Sequence, residues 1–453
     1  MLFPKAVFCH YLVGLTFNQK TEHWQYDIGN ATASAIDGFA LNIGAGDNHT
    51  LEALHGAYDS AAKIGNFSLF LSFDFGATGN WTVDSVASLI NDFRDEPAQF
   101  KVDGKPLVST FEGVGFADKW KDVRRKVPGD IYFVPDWSSL GYEGIQNVTN
   151  EIDGHFSFDA WPQREETTIT TRIDKLYQKV LGSTRSYMMG VSPYFYTNLK
   201  SLSKNWYSSS DSLWFDRLEQ MVDLQPDFAQ IISWNDFGES HYISEIREEQ
   251  VLDQAKPYVD GFHHEGLRAV LPWYIAAYKA GSRDIPMPAS LGDGVAVAWY
   301  RTTPANLTKC DDGGSHWGQN GTLTAKAAVV DAINIIAIAA KPDTTVSITL
   351  GNGIKTLPVP PGEPRFFQIP FREFEMPVGK VQIMMKGVAG AEGPEITDKC
   401  PKTGIINFNA AAVDVRVPSP LENVEEDGAP SSLGISAFAS SLVLFVLLLS
   451  ATI

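Results

Sequence analysis

Ile231-Ile232-Ser233-Trp234-Asn235-Asp236-Phe237-Gly238-Glu239-Ser240-His241-Tyr242 is an apolar run that breaks into an indole, an amide, two carboxylates and an imidazole. The run has the length of a buried strand, and its tail has the chemistry of a site. The same figure recurs upstream. Short apolar runs at residues 6–13, 36–43, 67–73, 106–110, 131–134, 154–158, 187–191 and 228–233 are separated by helical patterns at 51–63, 83–93, 118–125, 169–181 and 212–224, and 267–280 closes the series. The helix at 212–224 opens on Asp211 and Ser212, good capping residues, and carries Leu213, Leu218 and Met221 on one face. Strand–helix alternation repeated eight times predicts an α/β protein whose residues 1–283 form a (β/α)8 TIM-like barrel. A doubly wound open sheet is the alternative.

A barrel gathers the C-terminal ends of its strands around one mouth, where active sites lie. Polar and aromatic residues follow nearly every expected strand. They are His10 and Tyr11, then Asn42, Asp74, Glu112, Asp136 with Trp137, Asp159 with Trp161, Tyr196, and finally Trp234 with Asn235. An Asp after a strand is usually a turn or cap residue, but caps need no accompanying Trp or Tyr. Asp236 and Glu239 flank Gly238 in a segment too short for a helix. Two carboxylates beside aromatics suit glycosidic-bond hydrolysis: one is held protonated for the leaving oxygen, the other ionised to activate water or attack carbon. Glu239 is the preferred acid and Asp236 the preferred base, with Asp74 a third catalytic candidate. His10, Tyr11, Asn42, Glu112, Asp136, Trp137, Asp159, Trp161, Tyr196, Trp234, Asn235 and His241 are the candidate substrate-binding residues. No metal or other cofactor is expected.

From residue 284 the texture changes. Pro286 and Pro288 resemble a linker, and β-rich runs continue to residue 418. They predict a C-terminal antiparallel β-sandwich domain that braces the barrel or binds glycan. The formal net charge of -18 argues against a nucleic-acid partner, which needs clustered Lys and Arg. Aromatic residues make up 12% of the chain, which suits a neutral sugar ligand. Seven Asn-x-Ser/Thr sequons (Asn30, Asn48, Asn66, Asn80, Asn147, Asn306 and Asn320) point to the secretory pathway. Cys310 and Cys400 are expected to pair there, and Cys9 reads as a buried thiol.

Residues 419–434 form an acidic, Pro-containing linker, and 435–453 are almost wholly apolar with no Lys or Arg after Arg416. This pattern predicts a GPI-attachment signal, with a tail-anchored transmembrane helix as the alternative. The start of the chain reads as a strand, not as a secretory leader, so a leader is expected to be missing from it.

Several ordered motifs between Val7 and Tyr242 resemble the fungal α-1,3-glucanases (mutanases) of glycoside hydrolase family 71. They are Cys9-His10-Tyr11-Leu12-Val13-Gly14, Leu71-Ser72-Phe73-Asp74-Phe75, Val108 to Gly113, Pro135-Asp136-Trp137, Phe156 to Pro162, Ser192 to Asn198 with Lys204-Asn205-Trp206, and Ile231 to Tyr242. The resemblance implies a catalytic barrel followed by a β-domain, cleavage of α-1,3-glucan with inversion, and essential acids at Asp74, Asp236 and Glu239. It makes the expected partner a polysaccharide and the expected product a secreted or wall-bound glycoprotein acting as a monomer. Two rival readings are a related barrel glycosidase on another α-linked glycan such as α-mannan, and a GPI-anchored wall protein that binds glucan without turnover.

Overall fold

The computed structural model describes residues 5–419 except Thr78, Arg164 and Gly387, with Ala389 described in its backbone alone. Eight parallel strands form the first half: Ala6–Leu12, Gly38–Gly44, Ser68–Asp74, Lys105–Phe111, Tyr132–Asp136, Gly154–Ser157, Ser186–Val191 and Phe228–Ile231. The first strand pairs with the eighth, from Ala6 opposite Phe228 to Cys9 opposite Ile231. The third pairs with the fourth, from Leu71 opposite Val108 to Asp74 opposite Phe111. No edge is left between them, so the sheet is a closed barrel and not an open doubly wound sheet.

Strand alternation decides what each side chain meets. Phe8, Phe70, Leu107, Val134, Phe156, Met188 and Phe228 fill the lumen. Their neighbours Val7, Cys9, Leu69, Phe133, Met189 and Ala229 pack outward beneath the helices. The helices turn apolar faces to this outer layer. Thr50–Ile64 buries Ala53, Leu54, Ala57, Tyr58 and Ala61. Val83–Phe93 starts where Thr82 Oγ1 accepts the Ser85 N–H at 3.1 Å, an N-cap that fixes its first turn. Arg172–Leu181 and Leu213–Leu224 are tied by the buried pair Asp174 and Arg217. Leu271–Ala280 ends the series after a 3-10 turn at Glu265–Val270.

Two further helices, Thr21–Ala33 and Gly141–Val148, are not apparent in the sequence pattern. The inner face of Thr21–Ala33 holds only Trp24, Ile28 and Ala31 besides a buried Asp27, which the Tyr11 hydroxyl and Arg247 satisfy. A polar residue on that face breaks the apolar period. Gly141–Val148 buries Ile145 alone.

Two four-stranded antiparallel sheets follow. One runs Arg365–Pro370, Ala332–Ala339, Gly294–Tyr300, Ala411–Val417; the other runs Gly353–Val359, Thr344–Leu350, Gly379–Met385, Val388–Ile396. Ala296, Ile333, Ile335, Val346, Ile348 and Ile383 pack between them. Every residue of Ala332–Ala339 is buried, because Ile336 and Ile338 join the barrel's core on the opposite face. Arg301 and Asp211 form a buried ion pair at 2.7 Å across this junction.

A small third sheet is absent from the sequence reading. Tyr196–Leu199 and Lys204–Tyr207 form a hairpin after the seventh barrel strand, and His316–Trp317 of the C-terminal half adds to it in parallel. Cys310 and Cys400 are joined by a disulfide at the base of that extension. No helix among the described residues is long and apolar enough to cross a membrane. Apart from Ser419, the expected linker (419–434) and apolar tail (435–453) lie outside the described residues.

Candidate active site

The segment after the eighth strand folds into a compact loop held by its own polar groups. Asp236 N–H donates to Ser233 Oγ at 2.9 Å, and Glu239 N–H donates to Asp236 Oδ1 at 3.0 Å. Ser233 Oγ lies 3.0 Å from His241 Nδ1, and His241 Nε2 lies 3.2 Å from Glu239 Oε2 and 3.6 Å from Asp236 Oδ2. His241 thus meets Ser233 on one ring nitrogen and both carboxylates on the other. Asn235 clamps the loop to the first strand, accepting from Leu12 N–H at 2.8 Å and donating to Leu12 O at 3.1 Å.

Lys204, from the hairpin, donates to Glu239 Oε1 at 2.5 Å. Burial works to raise the Glu239 carboxyl, but the hydrogen bond from His241 and the charge of Lys204 outweigh it and take the value down to about 2. Asp236 moves the other way: burial raises it, the nearby charge of Glu239 adds to the rise, and His241 and Lys204 only partly offset it. One carboxyl is therefore fixed as an anion and its neighbour retains a proton more readily than a free Asp. These directions favour Asp236 over Glu239, the acid preferred from sequence, as the group that holds a proton. Oxygens of Asp236 and Glu239 and a nitrogen of His241 come within 4.8 Å of one another. Such a set has the spacing of metal ligands, but the Lys204 ammonium already supplies the cation at Glu239.

Asp74 ends the third strand. Its Oδ1 accepts N–H bonds from Gly76 at 2.7 Å and Ala77 at 2.9 Å, and burial raises its carboxyl. Its charge acts on Lys204, after those of Glu239 and Asp236. Asn42, on the neighbouring strand, works against that rise.

A cleft of about 480 Å³ runs from Glu239 and Lys204 across the mouth. Its far bank carries Glu112, Asp136 and Asp159. Glu112 and Gly113 both take positive φ (52° and 98°), and a Cβ on Gly113 would lie 2.4 Å from the Phe75 ring. This turn lets Glu112 accept the Ser139 backbone N–H and hydroxyl. Asp136 is pushed up to about 7 by burial, with Glu112 and Asp159 adding to the rise against a hydrogen bond from Ser138. Its Oδ2 is buried without a partner. Asp159 accepts from Tyr177 and Gln163 and is also raised by burial. Asp136 and Asp159 on this bank are thus shifted in the opposite direction from Glu239.

Of the sequence candidates, His10 sits beneath the site, its Nδ1 accepting from Gln230 at 2.9 Å; burial, and then His241, lower it to about 3. Trp161 lines the cleft and donates from Nε1 to Tyr194 O. Tyr11, Trp137, Tyr196 and Trp234 do not face the cleft. Trp137 and Trp234 are wholly buried, Tyr11 packs on Trp24 and Phe39, and Tyr196 packs on Tyr258 and Phe408. Alternation explains two of them: His10 and Asp136 face the barrel interior, so adjacent Tyr11 and Trp137 face the helices. Asn235 is consumed by its clamp to Leu12. Lys204, Phe195 and Trp206 line the cleft without having been singled out as site residues. Their signal was the motif Lys204-Asn205-Trp206, placed on an element the strand count did not include. Six sequon asparagines are exposed; Asn30 is half-buried with its amide nitrogen enclosed.

Replacing Lys204 by Met removes the cation that depresses Glu239. A depressed carboxyl contributes stability that is present above its unfolded value near 4.5 and lost as pH falls through its folded value near 2. The variant is expected to melt below the wild type at pH 7, with the gap narrowing from pH 4.5 to pH 2. A constant gap in thermal scans would show that Lys204 does not set the charge of Glu239.

The chain is similar to several known proteins. A family model described as glycosyl hydrolase family 71 matches residues 3–424. The glucan endo-1,3-alpha-glucosidase agn1 of Schizosaccharomyces pombe is 34% identical over 90% of this chain and 93% of its own. A mutanase of Penicillium rubens is 33% identical over 79% of this chain and 78% of its own. The ascus wall endo-1,3-alpha-glucanase of Schizosaccharomyces pombe is 29% identical over 68% of this chain and 74% of its own. Among solved structures, a GH99 endo-alpha-mannosidase from Bacteroides thetaiotaomicron aligns with a TM-score of 0.45 and 13% identity, covering 61% of this chain and 98% of that chain.

Proposed function

The chain belongs to glycosyl hydrolase family 71 and is a glycoside hydrolase, and on that premise we propose that it cleaves α-1,3-glucan internally with inversion at the anomeric carbon. The feature that carries the reading is an adjacent pair of carboxyls whose surroundings push them in opposite directions: burial raises Asp236, while the hydrogen bond from His241 and the charge of Lys204 lower Glu239. Asp236 is the proton donor to the glycosidic oxygen. Glu239 stays ionised beside it and helps keep that proton in place.

Inverting pairs lie roughly 6.5–9.5 Å apart to admit a water. Asp236 and Glu239 present oxygens within 4.8 Å of each other. Both Glu239 oxygens are also engaged, by Lys204 and His241. We therefore assign the attacking water to Asp74, whose raised carboxyl makes a stronger base than one held near 2. A second reading, with Glu239 as the base, has its own support in the ionisation of that group. Asp136, neutral up to about pH 7, donates to a sugar hydroxyl, and Glu112 and Asp159 accept from others. The names of the relatives support the α-1,3-glucan substrate and an extracellular or wall location. The exposed sequons and the Cys310–Cys400 disulfide support passage through an oxidising compartment.

Purified enzyme is expected to release reducing ends from insoluble α-1,3-glucan and none from α-mannan. Asp236→Asn should lower kcat by about 10²–10⁴-fold, the usual worth of a general acid. Release from mannan alone, or full activity in the variant, would refute the assignment. Azide separates the two candidate bases. Asp74→Ala in azide should form a β-glucosyl azide, whereas Glu239→Ala should not; the opposite pattern would make Glu239 the base.

A further inference from the structure

Beyond the catalytic cleft lies a second cavity of about 380 Å³, in the size range of small-ligand sites (roughly 300–1,000 Å³). It shares Trp206, Gln319 and Asn320 with the cleft and continues to His316, Asn205 and Lys200. Its two walls come from different halves of the chain. Trp206 and Asn205 belong to the hairpin after the seventh barrel strand, and residues 314–321 belong to the loop that leaves the β-sandwich. The Trp206 ring is half-buried and lies near-parallel to Phe195, at 11° and 5.8 Å between centroids.

The loop is built to hold its shape. Trp206 pairs with His316 and Tyr207 with Trp317, and Gly318 N–H donates to Tyr207 O at 2.7 Å. Asn205 donates to Gly313 O at 3.0 Å and accepts from the Ser315 hydroxyl at 2.7 Å. Glu165, from the barrel loop after the sixth strand, accepts Thr322 N–H, Thr322 Oγ1–H and Leu323 N–H on one oxygen at 2.6–3.0 Å. Gly318 and Asn320 take positive φ, and a Cβ on Gly321 would meet Trp317 O at 1.9 Å, so the turn admits no bulkier residue there. The Cys310–Cys400 disulfide fixes the chain upstream.

A half-buried indole flanked by amides and an imidazole, in a cavity with a Lys but no carboxylate on its walls, matches a neutral polyhydroxylated ring. The ring's apolar face stacks on the indole, and its hydroxyls meet donors and acceptors fixed in advance. We propose that this cavity is a further sugar subsite, taking a glucosyl unit of the same chain that lies across Asp236 and Glu239. It rests on the α-1,3-glucanase reading. The β-sandwich is then part of the substrate site: its loop extends the cleft past Trp206 and makes the enzyme favour long chains.

The test is the dependence of kcat/KM on chain length, using defined α-1,3-gluco-oligosaccharides and the single variants His316→Ala and Gln319→Ala, whose side chains are exposed. In the wild type kcat/KM should rise with each added glucose until the subsite is filled. In each variant the ratio of kcat/KM for the longest to the shortest cleaved substrate should fall about 10-fold. An equal loss at every length, or no loss, overturns the subsite while leaving the hydrolase reading intact. No cleavage of any length by the wild type overturns that reading and the subsite with it. A structural role for the two residues would lower melting temperature and leave the ratio unmoved, which also counts against the proposal.

Discussion

Two carboxylates less than 5 Å apart in a partly enclosed mouth repel each other and resist losing water. The arrangement persists only if something favours one charge and tolerates a proton on the other. Lys204 and His241 supply the first condition at Glu239, and the burial of Asp236 supplies the second. The surrounding architecture follows from this constraint. Ser233 orients His241, and Asn235 ties the loop to Leu12 across the closing seam of the barrel. The hairpin that delivers Lys204 is itself steadied by a strand from the β-sandwich.

The two banks of the cleft differ in electrostatics. The Glu239 side is cation-supported and holds an anion. On the opposite side burial raises Asp136 and Asp159, so these two hold protons more readily than a free Asp. On the proposed reading, a sugar ring between them meets a proton donor at Asp236, a fixed negative charge at Glu239 for an oxocarbenium-like transition state, and a hydroxyl donor at Asp136.

The barrel was legible because each strand is a short apolar run of the right length and helical patterns separate most of the runs. Its polar strand ends were legible because Asp74, Glu112, Asp136, Asp159 and Asp236 follow those runs directly. Two things were not. The runs of polar and aromatic residues at the strand ends do not show that Tyr11 faces away from His10 and Trp137 away from Asp136, as neighbours on a strand must. Lys204 was passed over because its hairpin is an insertion between a barrel strand and its helix, in a stretch with no strand or helix period. Its role depends on Glu239, distant in sequence. The contribution of residues 314–321 to the cleft depends on a pairing more than 100 residues apart in sequence, which no local pattern announces.

Asp236 holds a proton more readily than Glu239 beside it. Carbon-13 NMR of enzyme labelled at the side-chain carboxyls of Asp and Glu reads both groups directly as pH is varied, with Asp236→Asn and Glu239→Gln assigning the signals. The account predicts that Asp236 titrates above the usual carboxylate range, and that Glu239 stays ionised down to about pH 2. A Glu239 signal that titrates above that of Asp236 would contradict it.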